Sequence, residues 1–215
     1  MKKLIKNTML GLAGAGLLLA ASQAMAQPFT ICFTDTYGPA KTEWNNNFVL
    51  QQFNPAWGSL QSVYIMASQS VNIDGTVQNT STGPQSFTFK AGSMLTVTLP
   101  GSLGFLQPSP LAQAQAFNLA AGASAPYGPV SASDSVNYTF TLPADMASFI
   151  GTGTMSLPGF TQTQELISGG GGNIVAILNT LSGATVEVCY TYIPEPGSFA
   201  LLALGGAVML LRKRR

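Results

Sequence analysis

Residues 136–142, Val136-Asn137-Tyr138-Thr139-Phe140-Thr141-Leu142, set the fold class. Apolar and polar side chains alternate there without a break. A period of two puts Val136, Tyr138, Phe140 and Leu142 on one side of an extended chain and the polar residues on the other. That is the mark of a β-strand with one covered face.

The same signal recurs on both sides of it. Residues 47–53 (NFVLQQF) read as a strand closed by Asn54-Pro55 and a Trp57-Gly58 turn. Residues 60–67 alternate with apolar residues in both registers, which suggests cover on both faces. Residues 71–77 hold Asp74-Gly75, a hairpin-type dipeptide. Residues 85–89 and 94–99 are rich in Thr, Phe and Val, which suit a pleated surface. Beyond the opening stretch come a short turn at 144–149, a strand at 151–157, a glycine-rich turn at 168–172 and a closing strand at 184–192. Residues 101–135 break the pattern, being rich in Ala, Gln, Gly, Ser and Pro, and read as a long mobile crossover with one short strand. Short strands between turn residues, with no sustained helical period, predict an all-β antiparallel β-sandwich of jelly-roll or immunoglobulin-like type.

Cys32 and Cys189 are the two cysteines and lie near opposite ends of the domain. Alternation places Cys32 on a face with Thr30 and Thr34, and Cys189 on a face with Glu187 and Thr191. Both sulfurs therefore fall on polar faces, and the first and last strands are expected to be neighbours joined by a disulfide on the solvent side. Two unrelated buried thiols are the alternative. An oxidising compartment permits the bridge.

Charge is unevenly spread. Of nine cations, seven sit at the two ends (Lys2, Lys3, Lys6, Arg212, Lys213, Arg214, Arg215). Between them Lys41 and Lys90 face Asp35, Glu43, Asp74, Asp134, Asp145, Glu165 and Glu187, a net charge of −5. An acidic domain without a basic patch argues against nucleic acid or anionic lipid as partners. The chain has no histidine, which removes His-based triads and nearly all zinc sites. Seven scattered carboxylates show no spacing that singles out a catalytic pair. No enzyme, cofactor or metal is expected. Asn72 and Asp74 offer calcium-type oxygens, but a hairpin turn explains them as well. Asn79-Thr80-Ser81 and Asn137-Tyr138-Thr139 fit the N-glycosylation pattern. Tyr37, Trp44, Trp57 and Tyr127 sit in polar or turn contexts, so Trp44 and Trp57 are candidates for stacking on a glycan, with core packing as the alternative.

The ends carry addresses. Residues 1–26 have a basic start, an apolar stretch at 9–21 and Ala24-Met25-Ala26, the layout of a secretory signal peptide cleaved after Ala26. An uncleaved N-terminal anchor is the alternative. At the other end Pro194-Glu195-Pro196 precedes an apolar run at 199–211 and the basic Arg212, Lys213, Arg214 and Arg215. As a helix the uncharged positions 197–211 reach roughly 22 Å, short of a ~30 Å hydrocarbon core. They read as a marginal transmembrane helix with a cationic stop that keeps the C-terminus cytoplasmic.

This order of Pro-Glu-Pro, apolar helix and Arg-rich end resembles the PEP-CTERM sorting signal. The resemblance implies that an exosortase recognises Pro194, Glu195 and Pro196 and cuts nearby. A second resemblance rests on Phe53-Asn54-Pro55, Gly58-Ser59-Leu60 with Val63, the 149–154 block FIGTGT, and Tyr190-Thr191-Tyr192 leading into Pro-Glu-Pro. These look like the choice-of-anchor E domain, a class of extracellular modules. The expected organisation is a signal peptide at 1–26, a β-sandwich at 27–193 and a sorting signal at 194–215. The expected protein is secreted and non-enzymatic, held transiently at the inner membrane, then released to the outer surface or matrix with exopolysaccharide. A carbohydrate-binding module delivered by the same tail is the alternative.

Overall fold

The computed structural model describes residues 27–195. In chain order the strands are β1 (Phe29–Lys41), β2 (Asn45–Gln51), β3 (Ser59–Asn79), β4 (Gln85–Thr98), β5 (Phe105–Leu106), β6 (Gln115–Leu119), β7 (Ser124–Phe140), β8 (Thr154–Gly169) and β9 (Ile174–Ile193). A four-residue helix α1 (Pro143–Met146) lies between β7 and β8. One sheet has the order β1-β9-β3-β7; the other has β2-β8-β4-β5, with β6 also paired to β4. The pairs β2–β8, β3–β7, β4–β8, β4–β6 and β4–β5 are antiparallel. Along β1 and β9, Thr30 meets Thr191, Cys32 meets Cys189 and the Thr42 N–H donates to the Thr180 carbonyl, so these strands also run in opposite directions.

Alternation decides which side chains go inside. On β3, Val63, Ile65, Ala67, Val71, Ile73 and Val77 are all buried, while Ser70, Asn72 and Asp74 between them face solvent. Each of the larger aliphatic side chains contributes about 1.5–3 kcal/mol by leaving water. The interior forms two apolar clusters. One gathers Phe48, Phe53, Leu95, Leu157, Val188 and Tyr190 near the end where β9 exits. The other gathers Ile73, Phe87, Phe89 and Tyr127 near the β8–β9 turn.

A polar belt divides the two clusters. Gln69 on β3, Ser93 on β4, Thr161 on β8, and Thr180 and Ser182 on β9 are all buried at that level. The Gln69 amide donates to Ser93 Oγ at 2.9 Å and to Ser182 Oγ at 2.8 Å, tying the sheets together through hydrogen bonds where apolar packing lapses. Its Oε1 has no protein partner.

The structure corrects the sequence reading in several places. Asp74-Gly75 is no hairpin: β3 runs straight through it, with a register shift between Ile73 and Gly75. A bulge and a close approach explain the glycine, since a Cβ on Gly75 would overlap the Ile177 carbonyl of β9. Residues 101–135 are no structureless crossover but contain β5, β6 and the first half of β7. The sequence hid the first half of β7 because it is an edge strand whose outward residues Ser131, Ser133 and Ser135 carry no apolar signal. The strand at 60–67 was expected to be covered on both faces; Tyr64 and Met66 on its outer side are only half-buried.

The expected flanking helices require a larger correction. Among the described residues no helix is long and apolar enough to cross a membrane. The C-terminal transmembrane helix, the inner membrane as a partner and the transient anchoring with a cytoplasmic C-terminus therefore have no support in the fold. The stretches on which they rested, the signal-peptide helix at 1–26 with Ala24 and Ala26, and the tail with Pro196, Arg212, Lys213, Arg214 and Arg215, lie outside the described residues.

Candidate functional site

β9 is the strand that delivers the chain to its C-terminal signal, and its last turns are held on every side. The Cys189 sulfur is bonded to Cys32 on β1, with an S–S distance of 2.07 Å and Cα atoms 4.0 Å apart. Two positions on, Thr191 Oγ1 lies 3.0 Å from Thr30 Oγ1. These residues share the outer face, as period-two alternation requires. Cys32 is exposed and Cys189 half-buried.

The inward residues of the same segment are aromatic. Tyr190 is fully buried, and its hydroxyl donates to the Gln51 carbonyl of β2 at 2.8 Å. Burial pushes its phenol well above the ordinary tyrosine range, so it stays a neutral donor. Tyr190 and Tyr192 pack on Phe53 with centroids 5.7 and 5.4 Å apart. Trp57 meets Phe53 edge-on at 5.5 Å and stacks on Phe33 at 6.2 Å. Asn54 caps the short 3-10 turn at Pro55–Trp57, its Oδ1 accepting from the Ala56 N–H, and so places the indole. Beyond β9, Pro194 and Glu195 lie outside any strand and Glu195 is exposed.

Trp44 is not available to a sugar. It is 8 % exposed, donates Nε1–H to the Ser182 carbonyl at 3.3 Å, and packs on Tyr37 and Phe48. Trp57 belongs to the aromatic cluster just described, and Tyr127 is buried against Phe89. Sequence context suggested exposure for all three because each sits beside turn residues; the turns fold them inward.

Glu43 and Glu165 line one shallow opening together with Lys41, and several of the other carboxylates have structural partners. Asp35 on β1 reaches across the open side of the sandwich to accept the Val49 N–H of β2 at 2.7 Å. On the opposite side Asp134 on β7 accepts the Ser109 N–H at 2.8 Å. Asp35 therefore links the two sheets at an edge, and Asp134 ties β7 to the connection between β5 and β6, roles that sequence reasoning missed because nothing local marks them. Asp74 accepts from the Asn179 amide at 3.1 Å, a side-chain tie between β3 and β9 in place of the calcium role considered for it. Asn79 is completely buried with its amide donating to Gly83, Leu119 and Ala120 carbonyls, so its sequon has no free amide to modify. Cys32, Glu187 and Cys189 bring potential ligand atoms within 4.8 Å of one another. With both sulfurs in a disulfide, one carboxylate remains, which does not make a metal site.

On the outer face of the first sheet a shallow open depression of about 620 Å³ is lined by hydroxyls, among them Thr36, Ser68, Ser70, Ser133, Ser135 and Thr185. It offers no outward aromatic platform.

Residues 193–215 match the family model described as the PEP-CTERM protein-sorting motif. The chain thus carries a PEP-CTERM sorting signal, consistent with an exosortase substrate. No curated protein matches the chain at a significant level. Among solved structures it is similar to infectious bursal disease virus, Gx strain, at 15% identity and TM-score 0.13, over 81% of this chain and 42% of that one. It is similar also to Cocksfoot mottle virus at 9% identity and TM-score 0.17, over 80% of this chain and 99% of that one. The chain spans less than half the length of the bursal disease virus chain. At such TM-scores neither likeness carries an argument about fold or function.

Proposed function

We propose that this chain is an exported, non-catalytic surface or extracellular-matrix protein, and that its C-terminal signal is processed by an exosortase with Pro194, Glu195 and Pro196 as the recognition element. The organisation that goes with this reading is a signal peptide at 1–26 cleaved after Ala26, a secreted sandwich at 27–193 and a sorting signal at 194–215. The observation that carries it is the sorting motif at residues 193–215. Supporting it are a disulfide suited to an oxidising compartment and an exposed Glu195 just beyond the last strand. Association with exopolysaccharide belongs to the same reading and rests on the resemblance of the domain and tail to exported anchor-type modules. Glycan stacking on Trp44 is not part of it, since that ring lies in the core.

The test is the intact mass of the protein recovered from outside the cell. Wild type is expected to lack both 1–26 and the residues beyond the processing site. Glu195→Ala should leave the tail in place, so that the recovered mass extends to Arg215. Normal trimming of that variant would remove Glu195 from the recognition element.

A further inference from the structure

Four aromatic side chains are exposed among the described residues: Phe29, Phe105, Tyr138 and Phe160. Three of them stand where a strand ends or the sandwich opens. Phe29 begins β1, Phe105 belongs to the two-residue strand β5 at the end of its sheet, and Tyr138 lies on the edge strand β7 opposite the buried Ile65. Phe160 has a different setting. It lies on β8 between Asn45 of β2 and Thr96 of β4, and its chain neighbours Gly159 and Thr161 are the buried ones. The ring therefore stands on the outer face of the second sheet, on a strand paired on both sides, and is 38% exposed. It packs into neither apolar cluster.

The ring divides two depressions. One, of about 500 Å³, has Met94, Gln162 and Glu43 in its lining; the other, of about 370 Å³, has Asn47 and Pro158; Phe160 and Asn45 line both. Strand geometry sets the Asn45 Cα about 5 Å from that of Phe160 across the ladder. It sets Gln162 about 7 Å from Phe160 along β8. Among the described residues the side-chain amides of Asn45, Asn47 and Gln162 have no hydrogen-bond partner. Nearby Gln107 and Gln164 are tied down, to Thr96 and Ser109. Glu43 is the one charged residue lining either depression, so neither presents a cation.

We propose that this face binds an uncharged polysaccharide, with Phe160 as the stacking platform and Asn45, Asn47 and Gln162 as the groups that hold sugar hydroxyls on its two sides. The face of a phenyl ring is partly negative, and the C–H face of a pyranose offers it partly positive hydrogens. A side-chain amide presents two donors and an acceptor together, which matches hydroxyls that both donate and accept. Depressions on both sides of one ring suit a chain of sugar units passing over it. Charge decides against an anionic polymer. Uronate, sulfate or phosphate groups would meet Glu43 and no cation here, on a domain that is acidic as a whole. A protein partner would find one phenyl ring with Met94 and Pro158 beside it, bordered by free amides, which is too little apolar surface for the core of an interface. The hydroxyl-lined depression on the other sheet has polar groups but no outward ring, since Tyr37 there packs on Trp44. This inference deepens the exopolysaccharide part of the reading above and rests on it, and it is independent of the exosortase step.

Affinity electrophoresis of the exported protein tests it, in native gels that contain a neutral β-glucan, a neutral galactomannan or the polyuronate alginate. Wild type is expected to be retarded in at least one neutral gel and to run freely in alginate. Phe160→Ala should raise the dissociation constant about tenfold or more, with an unchanged urea midpoint because the ring lies outside the core. Phe160→Tyr keeps the platform and should keep the retardation. Phe105→Ala removes a more exposed ring, at β5, and should leave binding as it was. Free running in both neutral gels overturns the proposal and takes the exopolysaccharide association with it. Retardation that survives Phe160→Ala overturns this site alone and leaves the association to another part of the domain. Retardation by alginate alone overturns the choice of an uncharged ligand.

Discussion

Single residues in this protein act mainly by spanning gaps between strands. Asn79 is the clearest case. Its amide donates to three carbonyls, and its Oδ1 accepts from the Ser81 N–H at 3.0 Å and the Ser81 hydroxyl at 2.7 Å. Every polar valence of a fully buried side chain is used, so removal strands several buried groups at about 1–3 kcal/mol each. Asn79→Ala is expected to cost about 3 kcal/mol or more in urea denaturation. Asn79→Asp should cost more still, because a carboxylate cannot donate and would face three carbonyl oxygens. An aspartate variant as stable as wild type would refute this account. None of it was legible locally: the sequence showed a sequon and a polar turn. The partners lie up to forty-one positions away. Trp44 failed for the same reason, since its polar neighbours in sequence are not its neighbours in space.

Elements were read well where the inward row is large and apolar and poorly where it is small, as at Ala125 and Ala132 of β7. The alternating 136–142 stretch and the closing strand gave the right type because Val136, Phe140 and Val188 face an interior. The first half of β7 lies at an edge, and its small inward residues read as a loop in the sequence. Asp74-Gly75 shows a second limit. The dipeptide does mark an irregularity, but whether it becomes a turn or a bulge depends on β9, which follows about a hundred residues later. The bulge makes a direct prediction. A Cβ at Gly75 would run into the Ile177 carbonyl, and Leu178 Cα would be 2.9 Å away. Gly75→Val should therefore push β3 from β9 and cost about 3 kcal/mol. Gly83→Ala, where no atom lies within 4 Å of the added carbon, should stay within about 0.5 kcal/mol. Equal unfolding midpoints for the two variants would mean that the close approach relaxes freely.

At the scale of the whole molecule, stability and destination are coupled through one covalent bond. Cys32 and Cys189 are 157 positions apart, so their bridge closes nearly the entire domain into a loop. In the chain-entropy model a loop of that length restricts the unfolded chain by about 5 kcal/mol, a large share of the 5–15 kcal/mol typical of a folded domain. The rest of the design leaves little to offset its loss. Charged residues make up only 8% of the chain, and the belt at Gln69, Ser93 and Ser182 interrupts apolar packing across the middle. The alternation around each cysteine was enough to place both sulfurs outward. That these strands are neighbours was inferred from the two outward sulfurs, and the structure has β1 beside β9. The reduced chain should accordingly be marginal and the oxidised chain robust, so that full stability arrives only after export. The Cys32→Ala/Cys189→Ala protein is expected to unfold at a much lower urea concentration than wild type, by about 5 kcal/mol in unfolding free energy. Adding reductant should bring wild type down to the same midpoint and leave the double variant unmoved. If reductant left the wild-type midpoint in place, the bridge would contribute nothing to stability, and the fold would no longer bear on the compartment in which the protein works.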